Sequence, residues 1–228
     1  MFKLEEQKVR RKAWIKVSNI PDHRLGWELK DCEHVSYDVI NILKSWLSAV
    51  GDGAVIRSPG SKLCGKGILL YGKPGHGKTT MALSTIQEAM LTLSLEDFKV
   101  KDGRVLVRPC YYAKYNTVLA LKGSIIGNAA SESDEVLYSG LLGECKDDAY
   151  NVRILVLDDM GEEHSSLSGW QKNLFHEIIR TRFDNGLPTI VTTNIPRESW
   201  GKYYGDATES FSYEAFVYLP VDEIDLRK

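Results

Sequence analysis

One short stretch constrains the fold of this chain more than any other. An apolar run at residues 68–71 leads directly into the glycine-rich sequence Gly-Lys-Pro-Gly-His-Gly-Lys-Thr-Thr at residues 72–80. The spacing from Gly72 to Thr79 fits G-x-x-x-x-G-K-[ST], and residues 81–86 continue with a helical pattern. Strand, glycine-rich turn and helix in this order predict a loop whose backbone N–H groups surround a phosphate, because glycine has no Cβ to fill it.

The last residues of this loop predict how a nucleoside triphosphate would be held. Lys78 can reach the β- and γ-phosphates, and the Thr79 hydroxyl can bind Mg²⁺. The helix that begins near Lys78 directs free N–H groups and its positive dipole end at the same phosphates. The alternative is a glycine-rich turn that matches by chance, but it would need neither the strand before it nor the helix after it. The predicted nucleotide-binding residues are Gly72, Lys73, Pro74, Gly75, His76, Gly77, Lys78, Thr79 and Thr80.

A second informative stretch is the apolar run from Ile154 to Leu157, which ends in the two acids Asp158 and Asp159. A continuous apolar run is typical of a central parallel strand, and the carboxyl ends of such strands face the ligand. We therefore predict that Asp158 holds Mg²⁺ and that Asp159, a catalytic residue together with Lys78, activates the attacking water. The alternative is that the two acids only end the strand in a turn.

A third polar group follows another buried strand, at residues 189–194. Asn194, at its end, is predicted as a catalytic residue that hydrogen-bonds the attacking water or the γ-phosphate. The alternative is an asparagine that turns the chain before Pro196. Because buried strands alternate with helical stretches along the chain, we expect a parallel sheet with helices on both faces.

Length and composition set the remaining bounds. The chain has 228 residues, of which 43% are hydrophobic, so a single α/β domain with additions accounts for it. A net charge of −2 does not indicate a nucleic-acid binder, although a local basic face is compatible with that total. The four cysteines lie far apart without a C-x-x-C pair, which argues against a zinc ribbon or a disulfide scaffold. No apolar run is long enough to span a bilayer.

The rest of the chain supplies the flanking elements. Residues 1–20 form a short basic segment, interpreted either as an arm that contacts nucleic acid or a partner, or as a solvated helix face. Residues 21–228 are assigned to the main domain. The pattern further predicts helices at 35–50, 80–93, 115–121, 135–145 and 167–185, a strand over 105–107 and 111–113, a loop at 123–133 and an edge strand at 216–221.

These stretches together resemble, in their order along the chain, the AAA+ group of bacterial DnaC/DnaI-type replicative helicase loaders and IstB-type transposition helpers. The most specific parts are Leu-Asp-Asp-Met-Gly at 157–161 and the strand at 188–194, which Arg182 and Phe183 precede. The resemblance runs from about Ile20 to the end of the chain. It implies a P-loop NTPase of AAA+ type without a helical lid domain, in which Asp158-Asp159 is Walker B and Asn194 is sensor 1.

The resemblance also implies a function. The protein would be an ATP-binding and ATP-hydrolysing helicase loader in DNA replication, with ATP and Mg²⁺, in the cytoplasm of a bacterium or a phage-infected host. It would assemble as an ATP-dependent homo-oligomer on single-stranded DNA and act on a hexameric replicative helicase, with no membrane partner. An arginine from one subunit would complete the site of the next. The family position, residues 206–212, contains no arginine here, so the candidates are Arg180, Arg182 and Arg197, with Arg227 as a possible sensor. For Arg182 the alternative is a structural ion-pair partner.

Two other functions stay open at this level. One is a nucleotide-gated binding module with little turnover, which the missing arginine favours. The other is an IstB-like transposition helper, which has the same core. Contact with DNA is predicted from residues around the second strand, since single-strand binders combine cations with aromatic platforms. The candidates for contact are Lys114, Tyr115, Lys122, Tyr111 and Tyr112. The alternative for Tyr111 and Tyr112 is sheet packing, which is the more common role of a tyrosine pair in a strand.

Overall fold

A five-stranded parallel sheet forms the centre of the molecule. The computed structural model describes residues 2–32, 36–51, 65–161 and 169–221. The strands are β1 (Gly67–Tyr71), β2 (Cys110–Lys114), β3 (Ile154–Met160), β4 (Thr189–Thr193) and β5 (Phe216–Pro220). Their order in the sheet is β2-β3-β4-β1-β5, and every pairing is parallel. The predicted parallel sheet and the predicted edge strand near the chain end are thus confirmed.

Helices cover both faces of this sheet. They are α1 (Phe2–Val17), α2 (Tyr37–Gly51), α3 (Lys78–Thr92), α4 (Tyr115–Ile126), α5 (Glu132–Leu142), α6 (Gly169–Asp184), α7 (Trp200–Tyr204) and α8 (Asp206–Ala215). One core contains buried side chains of α1, α2 and α3, and the other contains those of α4 to α8. The described residues include no separate helical lid after the sheet. None of the helices described has the length and apolar content needed to cross a membrane.

The alternation of side chains explains why the strands are apolar throughout. Along β1, Ile68 and Leu70 point into the first core while Leu69 points into the second. All three side chains are completely buried. A strand with helices on both faces has no solvated side, so it needs apolar residues at every position.

The basic N-terminal helix packs on the first core. Its Trp14 is 3% exposed, lies edge-on to Phe98 at 5.2 Å between ring centroids, and donates from Nε1 to the Leu106 carbonyl at 3.0 Å. Just after the helix, Ser18 accepts a bond from the Tyr112 backbone N–H at 2.9 Å, which covers the outer edge of β2. The first twenty residues therefore place an anchored helix against the core.

Three predicted elements differ in the structure. Residues 105–107 do not form a strand: Val105 makes only an isolated bridge with Lys99, and the strand starts at Cys110, after Pro109. Helix α4 continues to Ile126 and helix α5 starts at Glu132, so the predicted loop at 123–133 is wrong for residues 123–126 and 132–133. Helix α5 begins three residues earlier than predicted because Ser131 and Asp134 form a capping box.

Candidate nucleotide-binding site

The sheet brings the predicted site residues to one edge. Strand β4 lies between β3 and β1, and Thr193 pairs with Tyr71 on one side and Met160 on the other. The glycine-rich loop follows Tyr71, the two acids lie near the end of β3, and Asn194 directly follows β4. Three segments distant in sequence therefore meet at the carboxyl edge of the sheet, which is the usual ligand position in parallel α/β folds.

The glycine-rich loop has the backbone that a phosphate loop needs. Gly75 and Gly77 have φ angles of 90° and 86°, a region that favours glycine, and Gly77 is the N-cap of α3. The Lys78 side chain is 8% exposed, and its Nζ donates to the carbonyls of Gly72 at 2.7 Å and Lys73 at 2.8 Å. Its ammonium group thus lies on the loop, where it could contact a bound phosphate.

Asp158 is the most constrained polar group of the site. It is 1% exposed, and its Oδ1 accepts bonds from the hydroxyls of Thr79 at 2.8 Å and Thr192 at 2.6 Å. Its Oδ2 accepts a bond from the Tyr112 hydroxyl at 2.8 Å. Burial, followed by the negative charge of Asp158, raises the pKa of Tyr112 well above its ordinary value, so this hydroxyl stays a donor. Three donors fix the carboxylate in one orientation.

These residues fit the ligands that the phosphate loop implies. The Thr79 hydroxyl and the Asp158 carboxylate are adjacent hard oxygen ligands, which suit Mg²⁺. In the loop itself, Nδ1 of His76 is buried and has no hydrogen-bond partner among the described residues. A polar ligand in the loop would remove the cost of that unpaired nitrogen.

Asp159 differs from Asp158 in backbone conformation, in exposure and in its hydrogen-bond and ion-pair partners. Its φ is 58°, at the irregularity between Leu157 and Met160 that interrupts the pairing with β4. Its backbone N–H donates to the Thr192 hydroxyl at 3.0 Å, and its Oδ2 lies 3.5 Å from Nζ of Lys114. The side chain is 31% exposed. Left-handed conformations of non-glycine residues cost about 1–3 kcal/mol and cluster at functional sites. The backbone of Asp159 therefore supports its place among the functional residues.

One predicted arginine finger is wrong. Arg182 is completely buried, and its guanidinium lies at the amino ends of β3 and β4, opposite the nucleotide edge. Burial, with the like charge of Arg153 second, lowers the pKa of Arg182. Because an enclosed guanidinium cannot reach a neighbouring subunit, its role is structural. Its N–H groups donate to the hydroxyl of Thr189 and to the carbonyls of Leu141, Val152, Arg153 and Pro188.

The other candidate arginines lie nearer the surface. Arg180 is exposed, with its guanidinium carbon 4.7 Å from the centre of the Phe211 ring. Arg197 is half-buried between two rings, 4.0 Å from that of Tyr213 and 4.6 Å from that of Tyr218. Both stay candidates for a contact with a neighbour. Arg227 lies outside the described residues.

The structure also sorts the candidate DNA contacts. Tyr115 is completely buried, and Tyr112 is 6% exposed with its hydroxyl on Asp158, so the prediction that they are available to DNA is wrong. Tyr111 is half-buried beside the Arg108 guanidinium, whose carbon lies 5.6 Å from the ring centre. Among the predicted cations, Nζ of Lys122 lies 4.6 Å from the centre of the Tyr138 ring.

Three residues of the site escaped the sequence analysis. Thr192 joins the two acids, since it donates to Asp158 and accepts from the Asp159 N–H. A threonine inside an apolar strand is the one local signal for it. Tyr112 was assigned to stacking or packing, and nothing in the sequence relates it to Asp158. Arg24, which donates to Thr80 at 2.6 Å, comes from a turn of irregular sequence.

The fold and the site together define a P-loop NTPase. Residues 68–199 match the model of the family described as ATPase family associated with various cellular activities (AAA). This match covers more than half of the chain, so the protein belongs to the AAA family of ATPases, as its resemblance implied. No curated protein shows significant sequence similarity to the chain.

Solved structures show the same fold. The DnaC helicase loader has a TM-score of 0.60 at 22% identity, over 88% of this chain and 99% of that chain. DnaI has a TM-score of 0.57 at 17% identity, over 92% of this chain and 95% of that chain. The replication initiator DnaA bound to AMPPCP and single-stranded DNA has 0.50 at 16% identity, over 82% of this chain and 46% of that chain. At identities of 22% or less, these comparisons show a similarity in fold only.

Proposed function

We propose that this protein is an ATP-hydrolysing helicase loader in DNA replication. The observation that carries the proposal is the contrast between two adjacent acids: Asp158 is buried and accepts from the Thr79 hydroxyl, whereas Asp159 is 31% exposed beside Lys114. Binding alone would not need the second acid. The similarity in fold to the DnaC helicase loader, over nearly all of that chain, supports the choice of a loader within the AAA family.

Each site residue has a chemical role in this proposal. The glycine-rich loop and Lys78 bind the phosphates of ATP, and Thr79 with Asp158 holds Mg²⁺, which neutralises charge on the phosphate oxygens when it is bound. Asp159 accepts the proton of the water that attacks the γ-phosphorus. Asn194 positions that water by hydrogen bonding. The bond to the leaving phosphate oxygen breaks, and the products are ADP and inorganic phosphate.

The proposed partners are single-stranded DNA, a hexameric replicative helicase and further copies of this chain. DNA contact is supported by the half-buried Tyr111 beside Arg108, since a ring and a cation together form a stacking platform. ATP would lie between neighbouring copies, and Arg180 or Arg197 would approach it from the next subunit. Residues 21–228 form the ATPase domain and residues 1–20 the short basic segment, whose helix α1 packs on the first core. The site of action is the cytoplasm of a bacterium or a phage-infected host.

A nucleotide-gated binding module is the second candidate. Arg182 is enclosed, and α8 has no arginine where the family resemblance expects one. A missing trans arginine lowers turnover by about 10³–10⁵-fold. A protein with this site would bind ATP, change its affinity for a partner, and hydrolyse the nucleotide slowly.

Steady-state ATP hydrolysis with and without a single-stranded oligonucleotide tests the proposal. We expect turnover that DNA stimulates. In Asp159→Asn we expect ATP binding to be retained and turnover to fall by about 10²–10⁴-fold, because the proton acceptor is lost. The exposed Asp148→Asn is the matched control and should keep normal turnover. Tight ATP binding without turnover in the unaltered protein would favour the binding module, and unchanged turnover in Asp159→Asn would remove the assigned base.

A further inference from the structure

The segment from residue 22 to residue 32 lies against one face of α3. The face is defined by Thr80, Ser84 and Gln87, which are spaced four and three residues apart. Gln87 binds the segment twice, by donating to the Arg24 carbonyl at 3.0 Å and by accepting from the Gly26 N–H at 2.8 Å. The backbone of the segment is therefore attached to α3 without any contribution from the Arg24 side chain.

The Arg24 side chain reaches further along the same face, to the first turn of α3. Its Nη1 donates to the Thr80 hydroxyl at 2.6 Å, and Thr80 directly follows Lys78 and Thr79. No described residue offers the Arg24 guanidinium a carboxylate. A half-buried cation paired with a neutral hydroxyl has an unused capacity for a charge-assisted hydrogen bond.

The contact with Thr80 places Arg24 beside the phosphate loop. Thr80 lies in the first turn of α3 and directly follows Thr79, whose hydroxyl donates to Asp158 at 2.8 Å. The free N–H groups and the positive dipole end of a helix N-terminus favour phosphate. The Arg24 guanidinium therefore contacts the end of α3 at which the phosphates would bind.

We propose that Arg24 binds the phosphates of the nucleotide in cis, as a cation supplied from outside the phosphate loop. This inference rests on the proposed function of the same site. On nucleotide binding, the guanidinium exchanges the Thr80 hydroxyl for oxygens of the α- or β-phosphate, because Lys78 and Thr79 already serve the β/γ side. Phosphates common to ATP and ADP are thus its targets, and residues 22–32, which already pack on α3, are held there more firmly when either nucleotide is bound.

Calorimetric titration with MgATP and MgADP tests this role. Arg24→Gln keeps a donor for Thr80 and removes the charge, and we expect the affinity for both nucleotides to fall about tenfold, the size of one charge-assisted hydrogen bond. Arg24→Lys should restore part of the loss. The matched control is Gln87→Met, which removes both backbone attachments of the segment and keeps the charge. It should change either affinity by less than about twofold.

Hydrogen exchange distinguishes binding of the nucleotide by Arg24 from attachment of residues 22–32 to α3. Hydrogen exchange in residues 22–32 should slow when MgADP is added to the unaltered protein and stay unchanged in Arg24→Gln. Equal nucleotide affinities in the unaltered protein and a folded Arg24→Gln would overturn the role of Arg24 alone. Equal losses of nucleotide affinity in Arg24→Gln and Gln87→Met would show that the Arg24 side chain only attaches residues 22–32 to α3. Absence of ATP binding in the unaltered protein would overturn the proposed function as well.

Discussion

Strands β3 and β4 have a polar centre at each end, and the two centres have opposite designs. At the amino ends, the Arg182 guanidinium is completely buried and donates to one hydroxyl and four carbonyls. At the carboxyl ends, Asp158 is fixed by three hydroxyls, whereas Asp159 is partly exposed beside Lys114 and the Lys78 ammonium lies on the phosphate loop. One centre is complete within the chain, whereas the other has charges placed for a ligand.

The difference shows how one pair of strands can serve both stability and function. A buried charge is tolerated only when its hydrogen bonds are satisfied, so the Arg182 centre joins α5, α6 and the starts of β3 and β4. The phosphate-loop centre keeps charges whose natural partners are phosphate and Mg²⁺. Substitutions in the first centre should therefore change stability, and those in the second should change nucleotide chemistry.

The largest effect on stability is expected from Arg182→Met, which removes the guanidinium that donates all the hydrogen bonds of the Arg182 centre. It leaves four buried carbonyls without this donor, and each unsatisfied buried group costs about 1–3 kcal/mol. We expect a melting temperature about 10 °C lower, since about 1 kcal/mol corresponds to about 2–4 °C in a chain of this size. The control is the exposed Arg180→Met on the same helix, which should melt within about 2 °C of the unaltered protein. A similar melting temperature for both variants would contradict the structural role of Arg182.

Lys78→Ala should have the converse effect. It removes the cation for the β- and γ-phosphates, so ATP affinity should fall about 100-fold or more by calorimetry. The melting temperature without nucleotide should fall less than in Arg182→Met, because Lys78 donates to two part-buried carbonyls of the loop, whereas Arg182 donates to four carbonyls and a hydroxyl. The exposed Lys101→Ala is the control for a general loss of positive charge. Retained micromolar ATP affinity in Lys78→Ala would contradict the nucleotide site as a whole.

A smaller effect sharpens the comparison within β4. Thr192→Val keeps the side-chain shape but removes the hydroxyl that joins Asp158 to the Asp159 backbone. We expect a stability loss of about 1–3 kcal/mol and a fall in turnover of about tenfold, because both acids lose a positioning contact.

Thr193→Val is the matched control for this change. Its hydroxyl is equally buried, but it donates to the Met160 carbonyl and accepts from the Ile195 N–H, without touching either acid. Thermal melting and steady-state hydrolysis should therefore show a similar loss of stability in both variants, with turnover reduced mainly in Thr192→Val. Equal turnover in the two variants would remove Thr192 from the site.

The same contrast explains which residues the sequence could predict. The phosphate loop, Lys78, Thr79 and the pair Asp158-Asp159 follow from short-range patterns in which each residue's role depends on its immediate neighbours. The role of Arg182 depends on backbone carbonyls from three separate segments, so its local sequence could not distinguish a structural arginine from a catalytic one. The predicted strand at 105–107 failed for a similar reason, since pairing with the sheet decides whether an apolar triplet becomes a strand.

By itself, the sequence determined the parallel α/β class, the position of the phosphate loop and the two acids at the end of a buried strand. Those features arise from local periodicity and from the backbone freedom of glycine. Only the tertiary structure decided that Thr192 and Tyr112 hold Asp158, that Arg182 is enclosed, and that Arg24 approaches the first turn of α3. Such contacts join side chains that are 34, 46 and 56 residues apart along the chain. Burial and strand order create them, and neither property is written in the sequence around any one of these residues.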